Sequence, residues 1–272
     1  RDGHLDLLAT WFRQFLGDSA GDQPRLFRSA PNPVPPRKGQ LDYSPRVFVD
    51  ATIAAGLGVP SGGLYWMPSL IDMNRDGYPD LHYNIEFGED VLRLNNGDGT
   101  FGPDIGSASG LNPNGPQFGN EMGIGFGDID NDFDFEFVVT NTGSDGISTD
   151  VFYRNDSDFS LGGSGVAFTD VSATTGADLV PGVGWGVVFA DLDNDGDQDL
   201  VRARGLRFAT PNSVLENLYP LTTGDGVTTA FTDVSTLVPD FAKTVLADYD
   251  IMRGLAAVDY DKDGDLDLVA TR

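Results

Sequence analysis

The chain has 272 residues, enough for one large domain with a real core, and its 40% apolar and 11% aromatic content excludes a disordered acidic tail. Seventeen basic residues against 42 acidic ones give a formal charge of −25, which argues against nucleic-acid binding and against attraction to an anionic membrane surface. There is no cysteine, so disulfide scaffolds, zinc–thiolate sites and cysteine nucleophiles are excluded, and no run of about 18 apolar residues is present to span a membrane as a helix.

In chain order, "RDGHLDL" reads as the second half of an acidic loop, so the chain is expected to be a piece of something longer. "DLLAT" (6–10) follows as a strand. Leu8, Trp11, Phe12, Phe15 and Leu16 are spaced like one face of a helix, but alignment of "DLLAT" with the later "DLVAT" favours strand up to Thr10 and leaves 11–17 open. Segment 18–46, with "APNPVPPRKG", is expected to be a long excursion rather than a blade strand, although "RLFRS" inside it matches later short strands. Three whole units follow, near 60–117, 118–177 and 182–238, flanked by partial ones at 1–59 and 245–272. Each opens with a glycine-rich strand, such as "GIGFG" or "GVGWGVVFA". An acidic loop comes next, then an apolar strand ("DLHYN", "EFVVT", "DLVRA", "DLVAT"). A third strand ends in a polar turn ("VLRLNNGDGTF", "VFYRNDS", "VLENL"), and most units close on "FTDVS" or a relative. Four short strands per unit predict an all-β protein, a β-propeller of four-stranded blades forming a single region over 1–272. The glycines fit an innermost strand where backbones crowd together.

The acidic loops are "DMNRDGYPDL" at 72, "DIDNDFDFEF" at 128, "DLDNDGDQDL" at 191 and "DYDKDGDLDL" at 259. Oxygen-bearing side chains stand at positions 1, 3, 5 and 9. Position 6 is Gly77, Gly196 or Gly264, and Phe133 in the second of these loops. Four carboxylates in nine residues repel one another unless a cation sits among them. Hard cations take six to eight oxygens, so the spacing points to Ca²⁺, about one ion per complete loop, with glycine at position 6 permitting the backbone reversal. The alternative is a solvated Asp–Gly turn that binds nothing; recurrence in register weighs against it. The loops at 191 and 259 are complete, the one at 72 carries the neutral Asn74, and the one at 128 is the weakest because of Phe133 and Glu136. An EF-hand is excluded: position 12 is Tyr83, Val139, Arg202 or Ala270 instead of glutamate, and β-formers follow.

The pattern D-x-D-x-D-G-x-x-D-L, with "NNGDGTF" and "FTDVS" between copies, resembles the FG-GAP/VCBS-type repeat of integrin α-subunit propellers and of cartilage-acidic-protein-like (ASPIC/UnbV) proteins. "FTDVSATTGA" followed by "GVGWGVVFADLDNDGDQDLV" is closer to the latter. The resemblance implies a seven-bladed, calcium-binding propeller, secreted or displayed on a cell surface. Seven blades need a longer chain than this, so an incomplete part of such a ring is expected. The calcium ligands it implies are Asp191, Asp193, Asp195 and Asp199; Asp259, Asp261, Asp263 and Asp267; Asp72, Asn74, Asp76 and Asp80; and Asp128, Asp130, Asp132 and Glu136.

No nucleophile–base pair has a recognisable spacing, and no catalytic residue is assigned. His4 and His82 read as structural or exposed. "GSGVAF" and "GVGWG" lack the lysine of a phosphate loop. Trp66 and Trp185 read as core, with Trp11 freer; these and Tyr65, Tyr83 and Tyr153 are candidate stacking surfaces. Arg28, Arg37, Lys38 and Arg46 gather scarce positive charge for an acidic partner or a polysaccharide, or simply balance the acidic body. The expected function is an extracellular calcium-binding module that recognises a protein or carbohydrate ligand or self-assembles. The alternative is a polysaccharide-acting hydrolase or lyase.

Overall fold

The computed structural model describes residues 4–10, 24–31, 33, 46–57, 64–86, 88–111, 121–141, 150–161, 165–176, 183–205, 212–219, 221–223, 226–228, 231–237 and 252–271. Among them the protein is all-β, with no α-helix and three single-turn 3₁₀ segments, Ser107–Ser109, Phe159–Leu161 and Ser235–Leu237. No helix among them is long and apolar enough to cross a membrane.

The first sheet is β1 (Leu7–Ala9), β2 (Arg25–Pro31) and β3 (Arg46–Asp50), antiparallel in that order. Strand β2 lies inside the segment expected to loop out. Its "RLFRS" pairs on both sides, which corrects the excursion at 25–31; residues 11–17 and most of 18–45 lie outside the described residues. The second sheet is the meander β4 (Leu64–Ile71), β5 (Asp80–Glu86), β6 (Val91–Asn95) and β7 (Phe101–Asp104). The third repeats it with β8 (Glu121–Gly127), β9 (Glu136–Asn141), β10 (Val151–Asn155) and β11 (Phe168–Asp170). The fourth is β12 (Gly184–Ala190), β13 (Asp199–Arg204), β14 (Ser213–Asn217) and, after a separate hairpin β15 (Leu221–Thr223) and β16 (Gly226–Thr228), β17 (Phe231–Asp233). Strands β18 (Gly254–Val258) and β19 (Asp267–Thr271) form the last pair.

The sheets stack face to face in chain order, because each has an apolar side that no single sheet can bury alone. Leu26, Leu57, Tyr65, Leu81 and Phe101 pack between the first and second sheets. Leu92, Leu111, Ile124, Phe137 and Phe168 fill the space between the second and third, and Val138, Phe152, Val187, Phe189, Leu200 and Phe231 that between the third and fourth. The residue after the ninth position of the loops at 72, 128 and 191 (Leu81, Phe137 and Leu200) is wholly buried, and Leu268 after that of the last loop is half-buried.

First strands pack on first strands: β4 on β8, β8 on β12, β12 on β18. Register shifts recur near their starts, at Tyr65/Pro68, Glu121/Ile124 and Gly184/Val187. There a Cβ on Gly123 would collide with the Trp185 carbonyl oxygen, so the glycine-rich pattern answers to close backbone approach. The Thr140 hydroxyl donates to that carbonyl at 2.6 Å, and Thr10 donates to the Trp66 carbonyl at 2.7 Å, tying neighbouring sheets. The "FTDVS" segments close the third and fourth sheets through side-chain hydrogen bonds. Asp170 caps Ser172, whose Oγ accepts the Phe152 N–H at 3.0 Å, and Asp233, Ser235 and Val214 repeat the arrangement.

Candidate metal centres

The turns between the first and second strands of the last four sheets are the acidic loops, and all four share one hydrogen-bond scheme. The position 1 carboxylate spans the loop. Asp72 accepts the N–H groups of Asp76 and Gly77 at 3.1 and 2.7 Å, Asp128 those of Asp132 and Phe133 at 3.0 and 3.1 Å, and Asp191 those of Asp195 and Gly196, both at 3.1 Å. Asp259 accepts that of Gly264 at 3.2 Å. Position 5 accepts the position 7 N–H, as in Asp195 with Asp197 at 3.1 Å.

Position 9 clamps the loop to the sheet. Asp80 accepts from Met73 and Asn95 at 2.9 and 2.8 Å, Glu136 from Ile129 and Asn155 at 3.2 and 3.3 Å, and Asp199 from Leu192 and Asn217 at 3.0 and 2.9 Å. Asp267 accepts from Tyr260 at 2.9 Å. Asp6 takes the Ser29 N–H at 2.9 Å, so "DGHLDL" carries the same ninth-position contact. The ninth residue is therefore first a structural tie, whose remaining lone pairs can serve an ion.

Two residues per loop are left-handed. Position 6 has φ of 85°, 72°, 99° and 102° at Gly77, Phe133, Gly196 and Gly264; position 4 has φ of 57°, 55°, 61° and 65° at Arg75, Asn131, Asn194 and Lys262. Phe133 adopts the glycine conformation with its side chain 84% exposed, so the loop keeps its shape at the cost of local strain.

Three carboxylate triads have ligand oxygens within 4.8 Å of one another: Asp128, Asp130 and Glu136; Asp191, Asp193 and Asp195; Asp259, Asp261 and Asp263. These can hold a metal ion, and an all-oxygen donor set suits a hard divalent one. The loop at 72 forms no such triad, and its Asn74 donates to Asp76 at 3.1 Å. Among the described residues, Asp130 Oδ1 and Asp259 Oδ1 are buried without a hydrogen-bond partner, as are the position 7 oxygens Asp134 Oδ1 and Asp197 Oδ1. Position 7 is not among the positions that the spacing singles out; the unbroken acidic alternation "DGDQD" is the signal that could reveal it.

Burial lifts these carboxyls out of the ordinary range, and neighbouring carboxylates add to it: Asp80 to about 6, Asp134 to about 6, Asp197 to about 7 and Glu136 to about 9. Asp130 and Asp199 rise for the same reasons. A cation among them reverses the effect, since nearby positive charge favours the ionised form.

The other candidates fall elsewhere. Tyr65, Tyr83 and Tyr153 are buried core, not stacking surfaces, because each lies on a strand face that a neighbouring sheet covers. Trp66 and Trp185 are half-buried; Trp66 donates to Glu86 at 3.2 Å and Arg253 lies over the Trp185 ring at 4.9 Å. His82 is wholly buried beside Phe137, with Nε2 3.5 Å from Asp90. Arg28 donates to the Gly99 carbonyl in the β6–β7 turn of the second sheet, tying the first two sheets together, and Arg46 donates to Ser29 Oγ and O at 2.7 and 2.8 Å, bracing the first. Trp11, Arg37 and Lys38 lie outside the described residues. His4, Asp6, Arg28 and Tyr78 line a groove of about 670 Å³ between the first two sheets. A buried pair that composition could not reveal, Arg202 and Arg204, shares Asp150 at 3.2 and 3.4 Å.

No protein-family model matches the chain, and no curated protein matches it.

Proposed function

We propose that this chain is a calcium-held β-propeller segment of the FG-GAP/VCBS type, acting outside the cell as a recognition or assembly module for a protein or glycan. The observation that carries the reading is the recurrence of one loop, with three carboxylate triads and buried oxygens that lack a hydrogen-bond partner among the described residues. Stacked four-stranded meanders with apposed first strands support the propeller. Ions at the loops neutralise repulsion at one end of every sheet, stiffening the turns that would carry ligand contacts. Because ions bind the folded form, they stabilise it by mass action.

The test has two parts. Calorimetric titration with calcium is expected to show at least two sites at submillimolar to millimolar affinity, and melting is expected to rise with calcium and fall in chelator. Binding to a glycan array or a protein partner, lost in chelator and without turnover of polysaccharide, supports recognition. Release of reducing ends would count for the enzymatic alternative instead.

A further inference from the structure

The side chain at position 4 of the loops at 72, 128 and 191 reaches the next loop. Asn131 Nδ2 donates to the Gly196 carbonyl at 3.4 Å, and Asn194 Nδ2 to Asp265 Oδ1 at 2.7 Å. Arg75 does the same with a charge. Its Nη2 donates to the Asp132 carbonyl and lies 3.3 Å from Asp132 Oδ1 and 3.6 Å from Asp134 Oδ2. Its guanidinium carbon sits 4.3 Å from the centre of the Phe159 ring, which holds it in place.

The loops at 128 and 191 differ accordingly. Asp134 and Asp197 occupy the same position, are each 4% exposed, and each keep Oδ1 without a hydrogen-bond partner among the described residues. Asp134 has a guanidinium beside it. Among the described residues, the side chain reaching the loop of Asp197 from its neighbour is the neutral Asn131. The triad also shifts: position 5 belongs to it at 191 and 259, but at 128 the set is Asp128, Asp130 and Glu136, and Asp132 faces Arg75.

We propose that Arg75 is a tethered cation for the loop at 128, so that this loop takes a divalent ion more weakly than its neighbour at 191, whose Asp197 is left to a free ion. The inference rests on the metal reading above. A guanidinium within 4 Å of two carboxylates repels an arriving divalent ion and competes for its ligands, and at a half-exposed site the effect is about tenfold in affinity.

The two loops can be exchanged. Arg75→Asn installs the residue that already adopts the left-handed backbone at 131 and 194; Asn131→Arg places a guanidinium against Asp197. Calcium is titrated calorimetrically into the full 272-residue chain and both variants, with chelated melting to confirm folding. Arg75→Asn is expected to strengthen one site about tenfold, with Asp130→Asn in that background removing the gain; Asn131→Arg is expected to weaken one site about tenfold. Calcium binding by the parent with isotherms unchanged in both variants would overturn this proposal and leave the metal reading standing. No calcium binding by parent or variants would overturn both. If one variant fails to fold, the other decides.

Discussion

Asp193→Asn separates the ion from the loop's own architecture. Asp193 Oδ1 accepts the Asp195 N–H at 3.3 Å, and an asparagine can keep that bond, as Asn74 does with Asp76 at 3.1 Å in the loop at 72. What the substitution removes is one charge from the triad with Asp191 and Asp195. A site of about 0.1–1 mM affinity in about 10 mM calcium stabilises the fold by about 1.4–2.7 kcal/mol. Weakening it about tenfold removes about 1–1.3 kcal/mol, or about 2–3 °C of melting temperature in a chain of this size. Melting is followed by circular dichroism in calcium and in chelator. The calcium-dependent rise is expected to shrink by that amount, while the chelated variant melts no lower than the parent, since one like-charge repulsion is gone. An undiminished calcium increment would refute the ion's presence at this loop. A drop seen only in chelator would show that the carboxylate serves folding instead.

Phe133→Gly is expected to stabilise the protein by about 1 kcal/mol in calcium and chelator alike, because a left-handed backbone is relieved and an exposed ring loses little packing; chemical denaturation measures it. Thr140→Val removes the hydroxyl that bonds the Trp185 carbonyl and accepts the Gly123 N–H at 2.9 Å, leaving both unsatisfied, and is expected to cost about 1–3 kcal/mol in the same assay. Chelated protein is expected to melt higher at pH 5 than at pH 8. Carboxyls raised to about 6 (Asp80, Asp134), 7 (Asp197) and 9 (Glu136) bind more protons folded than unfolded. Stability therefore falls as pH rises through those values. Saturating calcium is expected to cancel the trend, and a chelated protein that is less stable at pH 5 would contradict it.

The strands and turns were legible because their signals are local. Alternation and turn residues mark β4 to β14, and glycine before each acidic loop marks close backbone approach, as at Gly123 against Trp185. "DLLAT" is strand over Leu7–Ala9, as its likeness to "DLVAT" favours, despite the helical spacing of Leu8, Trp11 and Phe12. Strand β2 carries mixed signals: "RLFRS" reads as a strand, while the prolines around it argue for a loop. Within the loops, spacing pointed to the carboxylates that come together but not to the ninth residue's work as a clamp. That role depends on backbone N–H groups of the third strand, 15 to 19 residues away. The position 4 contacts were invisible for the same reason. Arg75 and Asp132 meet across 57 residues, and only the stacking of sheets brings one loop against the next. Burial of Tyr65, Tyr83 and Tyr153 likewise depends on which face a neighbouring sheet covers.

The most direct test is anomalous diffraction from crystals grown in millimolar calcium. The account predicts a peak among Asp191, Asp193 and Asp195 and another among Asp259, Asp261 and Asp263, with oxygens at about 2.3–2.6 Å. Well-ordered loops with only water between those carboxylates would contradict it.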